Sequence, residues 1–159
     1  MGENLREEMN KRGAGKEIQF FSGCCHVHEN FNPEMVFKVR TEYPKARILS
    51  HPECSPRVCR SSDFVGSTSQ MLAYMRESKA QEFLMLTECG LAARLEAEYP
   101  QKRIVGSCAL CEYMKSNTLE DILRVLKQPT KRDRVVIEEP VRQKALKCIE
   151  AMFTYTRSS

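Results

Sequence analysis

Residues 46–54 read Ala-Arg-Ile-Leu-Ser-His-Pro-Glu-Cys. A short apolar run stops at Ser50 and passes at once into a polar turn, where Pro52 fixes φ and directs His51 and Glu53. The same plan recurs at Asp63 to Gly66 followed by Ser67-Thr68-Ser69, at Glu82 to Thr87 followed by Glu88-Cys89, and at Arg103 to Gly106 ahead of Cys108-Ala109-Leu110-Cys111. Between these runs the apolar spacing is helical: Met35, Val36, Val39 and Tyr43 mark one face, Met71, Leu72 and Met75 another, and Leu91 and Leu95 a third. Strands alternating with amphipathic helices predict an α/β chain, a three-layer α/β/α domain with a mainly parallel sheet.

Outward from this centre, Glu17 to Phe21 and Val135 to Glu138 are two further strand candidates. Leu119, Ile122, Leu123 and Leu126 mark a helix that Asn117 would cap ahead of Glu120 at N3, and a last helix follows Pro140, with Val141, Ala145, Cys148, Ile149 and Met152 as its stripe. Both stripes read as core faces. The opening helix pattern, Glu3 to Arg12, feeds a strand that has no earlier neighbour, so the first 25 residues resemble the tail of a domain that begins elsewhere.

The chain has 159 residues, 42% apolar and 29% charged, the proportions of a folded globular domain. No apolar run has the length of a membrane span, and the first thirty positions lack a leader's apolar core, so a cytoplasmic chain with no membrane partner is expected. A net charge of +4 spread over 25 basic and 21 acidic residues argues against nucleic acid, and the basic stretch Lys127 to Arg134 reads as a solvated connector. Eight cysteines in such a chain point to metal binding or redox chemistry before a disulfide framework.

Chemistry-bearing residues gather at the strand ends, where open parallel sheets place their ligands. In Gly23-Cys24-Cys25-His26-Val27-His28, Cys25 and His28 have metal-ligand spacing, although buried thiols and a surface histidine explain the run equally well. His51 and Glu53 suit proton transfer on a small molecule, or a plain helix entry. Ser67 and Thr68 open a helix where an anion or a simple N-cap would fit. Cys108 and Cys111 form a Cys-x-x-Cys that serves a redox pair, a zinc site or an iron-sulfur site, and with Cys25 and His28 it would complete a Cys3His zinc module. Cys59 and Cys148 lie in helical patterns and read as packing residues, whereas Cys54 and Cys89 stand near strand ends.

Taken in order, GCCHVH (23–28), HPEC (51–54), DFVGSTS (63–69), TECGL (87–91) and CEYMKSNTLEDIL (111–123) resemble the quinolinate synthase family of bacterial NAD biosynthesis, over about Asn4 to Met152. The resemblance implies three similar α/β/α domains around a pseudo-threefold axis, each supplying one cysteine to a [4Fe-4S] cluster whose open iron is a Lewis acid. It implies condensation of iminoaspartate with dihydroxyacetone phosphate to quinolinate. Carried onto this sequence, Cys25 and Cys111 would be metal ligands, His51 and Glu53 catalytic, and Pro52, Ser67 and Thr68 substrate-binding along with them. Cys24 stands where the family favours an aromatic residue and His26 where it favours proline.

The family runs to about twice this length, in keeping with three domains of ordinary size. Residues 1–25 would then be the tail of the second domain, 26–115 the third domain, and 116–159 C-terminal helices and a strand packing back on the domains. The third cluster cysteine and much of the substrate site would come from an N-terminal half carried elsewhere, with Cys54 or Cys89 as improvised substitutes. The alternatives are an inactive remnant and the zinc module.

Overall fold

The structure is a computed structural model and describes residues 1–106 and 108–156. Two compact units divide the chain, the first Met1–Met114 and the second beginning at Lys115. Among the described residues no helix is long and apolar enough to cross a membrane.

The first unit holds a four-stranded, all-parallel sheet of β1 (Arg47–Ser50), β2 (Phe64–Val65), β3 (Glu82–Leu86) and β4 (Arg103–Ile104) in the order β2-β1-β3-β4. Its register is fixed by Ile48 opposite Leu84, Leu49 opposite Phe64 and Met85, and Phe83 opposite Ile104. Helices α1 (Gly2–Lys11), α2 (His26–Glu29), α3 (Pro33–Glu42), α4 (Pro56–Ser61), α5 (Thr68–Glu77) and α6 (Cys89–Glu98) surround or connect these strands, and α7 (Glu112–Lys115) follows β4.

Alternation along the strands decides the layers. Ile48, Leu84 and Leu86 join Val36 and Val39 of α3 and Val58 of α4 in one buried cluster, while Leu49, Phe83 and Met85 join Met71 and Met75 of α5 and Leu95 of α6 in another. Because side chains alternate with period two, one continuous apolar run in β3 fills both cores at once. The result is the α/β/α sandwich expected from the sequence.

Each helix entry is a local device. Asn32, Ser55, Ser67 and Glu88 accept the amides of Met35, Val58, Gln70 and Gly90, and Pro33 and Pro56 occupy the first helical position. After β4 the chain turns at Gly106, whose φ of 82° and close approach to Leu84 and Val39 suit only glycine.

Lys102 is 8% exposed, with its carbon stem inside the fold, its ammonium near the Phe83 ring, and Nζ donating to the carbonyls of Met75 and Ser78 at the end of α5. Lys102→Met keeps the stem but leaves both carbonyls without their donor. A loss of about 1.5–3 kcal/mol is expected in urea unfolding followed by circular dichroism. An unchanged midpoint would show that water replaces the ammonium without cost.

Two strand expectations fail. Glu17 to Phe21 forms no strand, because no neighbouring edge meets it, and Phe21 is left 92% exposed. Val135 to Glu138 is likewise unpaired in the second unit, with Val135 and Val136 exposed. Strand-forming side chains make no strand without a partner's hydrogen bonds.

The second unit comprises α8 (Leu119–Lys127), a short 3-10 turn (Lys131–Asp133) and α9 (Glu139–Thr156). The cap of α8 is Thr118, not Asn117: its hydroxyl accepts the Asp121 amide, one residue later than expected. Asp133 ties the turn to α8 through two bonds to Arg124 and also accepts the Thr130 amide, and these donors hold its carboxyl well below the usual range. Within this unit Leu119, Ile122, Leu123, Leu126 and Cys148 remain exposed, so the stripes expected to be core faces are not buried by the unit's own elements.

Candidate functional site

The sheet order sets the location of the site. β1 connects through α4 to β2 on one side, whereas β3 connects through α6 to β4 on the other, and the two helices pack on opposite faces. The carboxyl ends of β1 and β3 therefore flank the switch point, the crevice where open parallel sheets bind ligands. His51, Pro52 and Glu53 leave β1 there, and Thr87 and Glu88 leave β3.

His28, on the single turn of α2, joins the two ends. Its Nε2 lies 3.3 Å from Thr87 Oγ1, its ring stacks on that of His51 with centroids 4.5 Å apart, and its Nδ1 lies 3.1 Å from Glu53 Oε2. The Glu53 carboxylate thus faces Nδ1 and opposes the effect of burial on the ring. Cys25 Sγ completes a group with His28 and Glu53 whose three donor atoms lie within 4.8 Å of one another.

Burial lowers the proton affinity of His28, and the neighbouring His51 lowers it further against the opposing pull of Glu53. Burial likewise lowers that of His51, again opposed by Glu53. Both imidazoles are thus favoured neutral. His51 Nδ1 accepts the backbone amide of Glu53 at 3.3 Å, so in the neutral ring Nε2 carries the proton. The 3.4 Å separation between His51 Nδ1 and Glu53 Oε2 is then a contact rather than a shared proton.

The turn is held from behind by a residue that sequence reading missed. Asn4 of α1 donates from Nδ2 to the carbonyls of Pro52 and Cys54, both at 2.8 Å, and meets Cys59 Sγ at 3.3 Å. Glu7, one helical turn on, pairs with Arg60 of α4. No local pattern marks an asparagine on a polar helix as a partner for residues some 50 positions away. Cys54 is buried with its thiol on the Leu86 carbonyl and its pKa is pushed up to about 12, chiefly by burial, while Cys59 is also buried and its thiol also pushed up. Both are packing thiols.

Cys25 packs against the apolar cluster that contains Cys111, whereas Cys24 is exposed. Cys111 lies outside the Cys25, His28 and Glu53 group. The parallel bridge between Glu88 and Ala109 brings Cys89 and Cys108 together as a disulfide with Cα atoms 5.1 Å apart. While it stands, that bond removes Cys108 from the expected zinc module and Cys89 from the substitute ligands. At Ser67 the cap is realised: its hydroxyl accepts from the Gln70 amide and its own amide donates to Gln70 Oε1. Thr68 follows, exposed, at the first position of α5.

Comparison with known proteins matches these features to a family. The sequence model of the family described as Quinolinate synthetase A protein matches residues 1–154. Quinolinate synthase of Prochlorococcus marinus strain MIT 9303 is 37% identical over 157 residues, which is 94% of this chain and 46% of the relative. Quinolinate synthase of Rippkaea orientalis is 35% identical over 86% of this chain and 44% of the relative, and that of Alkaliphilus metalliredigens 36% identical over 94% and 50%. The chain spans about half the length of the curated relatives it matches. On a match that runs from the first helix to the last, the chain belongs to the quinolinate synthetase A protein family.

Proposed function

We propose that this chain supplies part of a quinolinate synthase, an enzyme of NAD biosynthesis that condenses iminoaspartate with dihydroxyacetone phosphate. The observation that carries this reading is the meeting of His51 and Glu53 with Cys25 and His28 at the switch point, in a chain whose family is that of quinolinate synthases.

The donor set suits an iron-sulfur cluster in part. Two soft thiols, Cys25 and Cys111, associate with one apolar cluster, and Cys25 reaches the crevice. These two residues would hold the [4Fe-4S] cluster, and a third ligand would come from sequence outside this chain. When bound, the cluster supplies an open iron site of Lewis-acid character.

The chain's own residues do the proton work. Glu53, partly exposed and flanked by two neutral imidazoles, is the proton acceptor for substrate deprotonation. His51, with Nδ1 engaged by the Glu53 amide, keeps an Nε2 proton to donate to a substrate oxygen. Pro52 and the two Asn4 bonds hold both groups in fixed directions. Ser67 stabilises the start of α5, and Thr68 with the helix N-terminus binds a substrate phosphate or carboxylate.

Co-expression of this chain with the N-terminal half of a homologous quinolinate synthase tests the reading. Quinolinate formation from iminoaspartate and dihydroxyacetone phosphate is expected only when both parts are present. Equal production by the chain alone would show that it completes the site by itself. No product from either arrangement, with both parts folded and associated, would support the inactive remnant.

A further inference from the structure

We propose that Thr87 is a positioning residue that acts on Glu53 through the His28 ring: its hydroxyl donates to His28 Nε2, and the ring presents Nδ1–H to the Glu53 carboxylate. The arrangement of protons rests on geometry alone. Its value for catalysis rests on the part given to Glu53 in the function proposed above.

Three groups from three segments stand in line. Thr87 follows the last residue of β3, His28 belongs to α2, and Glu53 lies on the turn after β1. Thr87 Oγ1 is 3.3 Å from His28 Nε2, and His28 Nδ1 is 3.1 Å from Glu53 Oε2. A neutral imidazole carries one proton, and either nitrogen can hold it. On Nε2 the proton would leave a lone pair on Nδ1 against a carboxylate oxygen. On Nδ1 it faces that oxygen, and the Nε2 lone pair is free to accept the Thr87 hydroxyl, so each nitrogen of a buried ring meets a group of opposite polarity.

His51 adds a second reason. Its Nδ1 accepts the Glu53 amide and so turns a lone pair toward the same Oε2, 3.4 Å away. A proton on His28 Nδ1 offsets that repulsion. The two stacked rings therefore hold opposite tautomers, Nδ1–H in His28 and Nε2–H in His51. Burial and the neighbouring His51 lower the proton affinity of His28 against the pull of Glu53, which keeps a single proton on the ring.

Thr87 suits an anchor and not a nucleophile, because it is 3% exposed and out of a substrate's reach. Glu88, the next residue, accepts the Gly90 amide at the start of α6 and bridges to Ala109, so the hydroxyl is fixed at the end of a sheet strand. The Glu53 side chain, by contrast, is 31% exposed on a turn. Control runs from strand to turn: the hydroxyl sets the ring, and the ring sets the carboxylate. Both imidazoles meet Oε2, which leaves Oε1 to take the substrate proton.

The test begins with imidazole-nitrogen NMR spectra of the isotope-labelled full chain at neutral pH. The chain has three histidines, and His26→Gln and His51→Gln identify two of them by loss of their signals. His28 should show the Nδ1–H tautomer, the minor one for histidine in water, and His51 the Nε2–H tautomer. Thr87→Val keeps the shape and removes the donor, so the His28 Nδ1 proton should exchange with water about 10-fold faster, whereas Thr87→Ser should leave its exchange within about threefold. In the enzyme assembled with a homologous N-terminal half, Thr87→Val should lower kcat about 10-fold with KM within about threefold, and Thr87→Ser should keep kcat within about threefold.

An Nε2–H tautomer at His28 in the unaltered chain overturns the proposal, and that result needs no variant to fold. So does full kcat in Thr87→Val, or a Thr87→Ser enzyme as slow as Thr87→Val, which would reduce Thr87 to a packing residue. The spectra do not depend on quinolinate formation, so failure here and failure of the two-part enzyme are separate observations.

Discussion

Alanine at Cys25 or at Cys111, in an enzyme assembled from this chain and a homologous N-terminal half, is expected to abolish the brown iron-sulfur absorption and the activity with it. A cluster with two protein thiolates has two exposed irons, and its loss should be complete on purification rather than partial. Cys24→Ala and Cys108→Ala should retain the absorption, because Cys24 is exposed and Cys108 is joined to Cys89. The diagnostic pair is Cys108 and Cys111. If Cys108→Ala bleaches the protein while Cys111→Ala leaves it brown, the ligand has been assigned to the wrong member of the Cys-x-x-Cys.

In the same assembled enzyme Glu53→Gln is expected to lower kcat by about 10²–10⁴, the range that a positioned proton acceptor contributes. The substitution keeps size and the hydrogen-bonding oxygen but removes the charge and the proton affinity, so the effect should fall on kcat with a smaller change in KM. Asn4→Ala separates positioning from chemistry. It frees the Pro52 and Cys54 carbonyls without touching Glu53, and a loss shared between kcat and KM would follow from a turn that no longer holds its direction. A Glu53→Gln enzyme with full kcat would remove Glu53 from proton transfer and leave it a structural side chain.

The parts of this molecule legible in its sequence are those decided over short distances. The apolar run of β3 and the spacing of Met71 and Met75 announce their burial because period two and period 3.6 are properties of single elements. Strand ends as the place of His51 and Glu53 follow from the same logic. Most of the failures are nonlocal. Glu17 to Phe21 and Val135 to Glu138 have strand-forming side chains and no partner edge, a fact that resides in the rest of the chain. Asn117 and Thr118 are both good caps, and the choice fell to whichever hydroxyl or amide met the helix at the right turn. Thr87, Asn4 and Lys102 matter through partners 24 to 59 residues away, and no spacing rule reaches that far.

The absence of a strand at Glu17 to Phe21 has a consequence for handling the protein. The segment from residue 14 to 25 lacks regular structure up to α2, and Lys16 is exposed within it. Trypsin requires a backbone free of regular structure to fit its cleft and a lysine or arginine free to enter its pocket, and Lys16 offers both, whereas the ammonium of Lys102 is sequestered. Limited digestion should therefore nick the chain in the exposed irregular segment that begins at Arg134 and also near Lys16. The released piece would carry α1, and with it the asparagine that holds the His51 turn. A preparation clipped there would keep its sheet and both cores, show nearly native circular dichroism, and still have lost the support behind its candidate site.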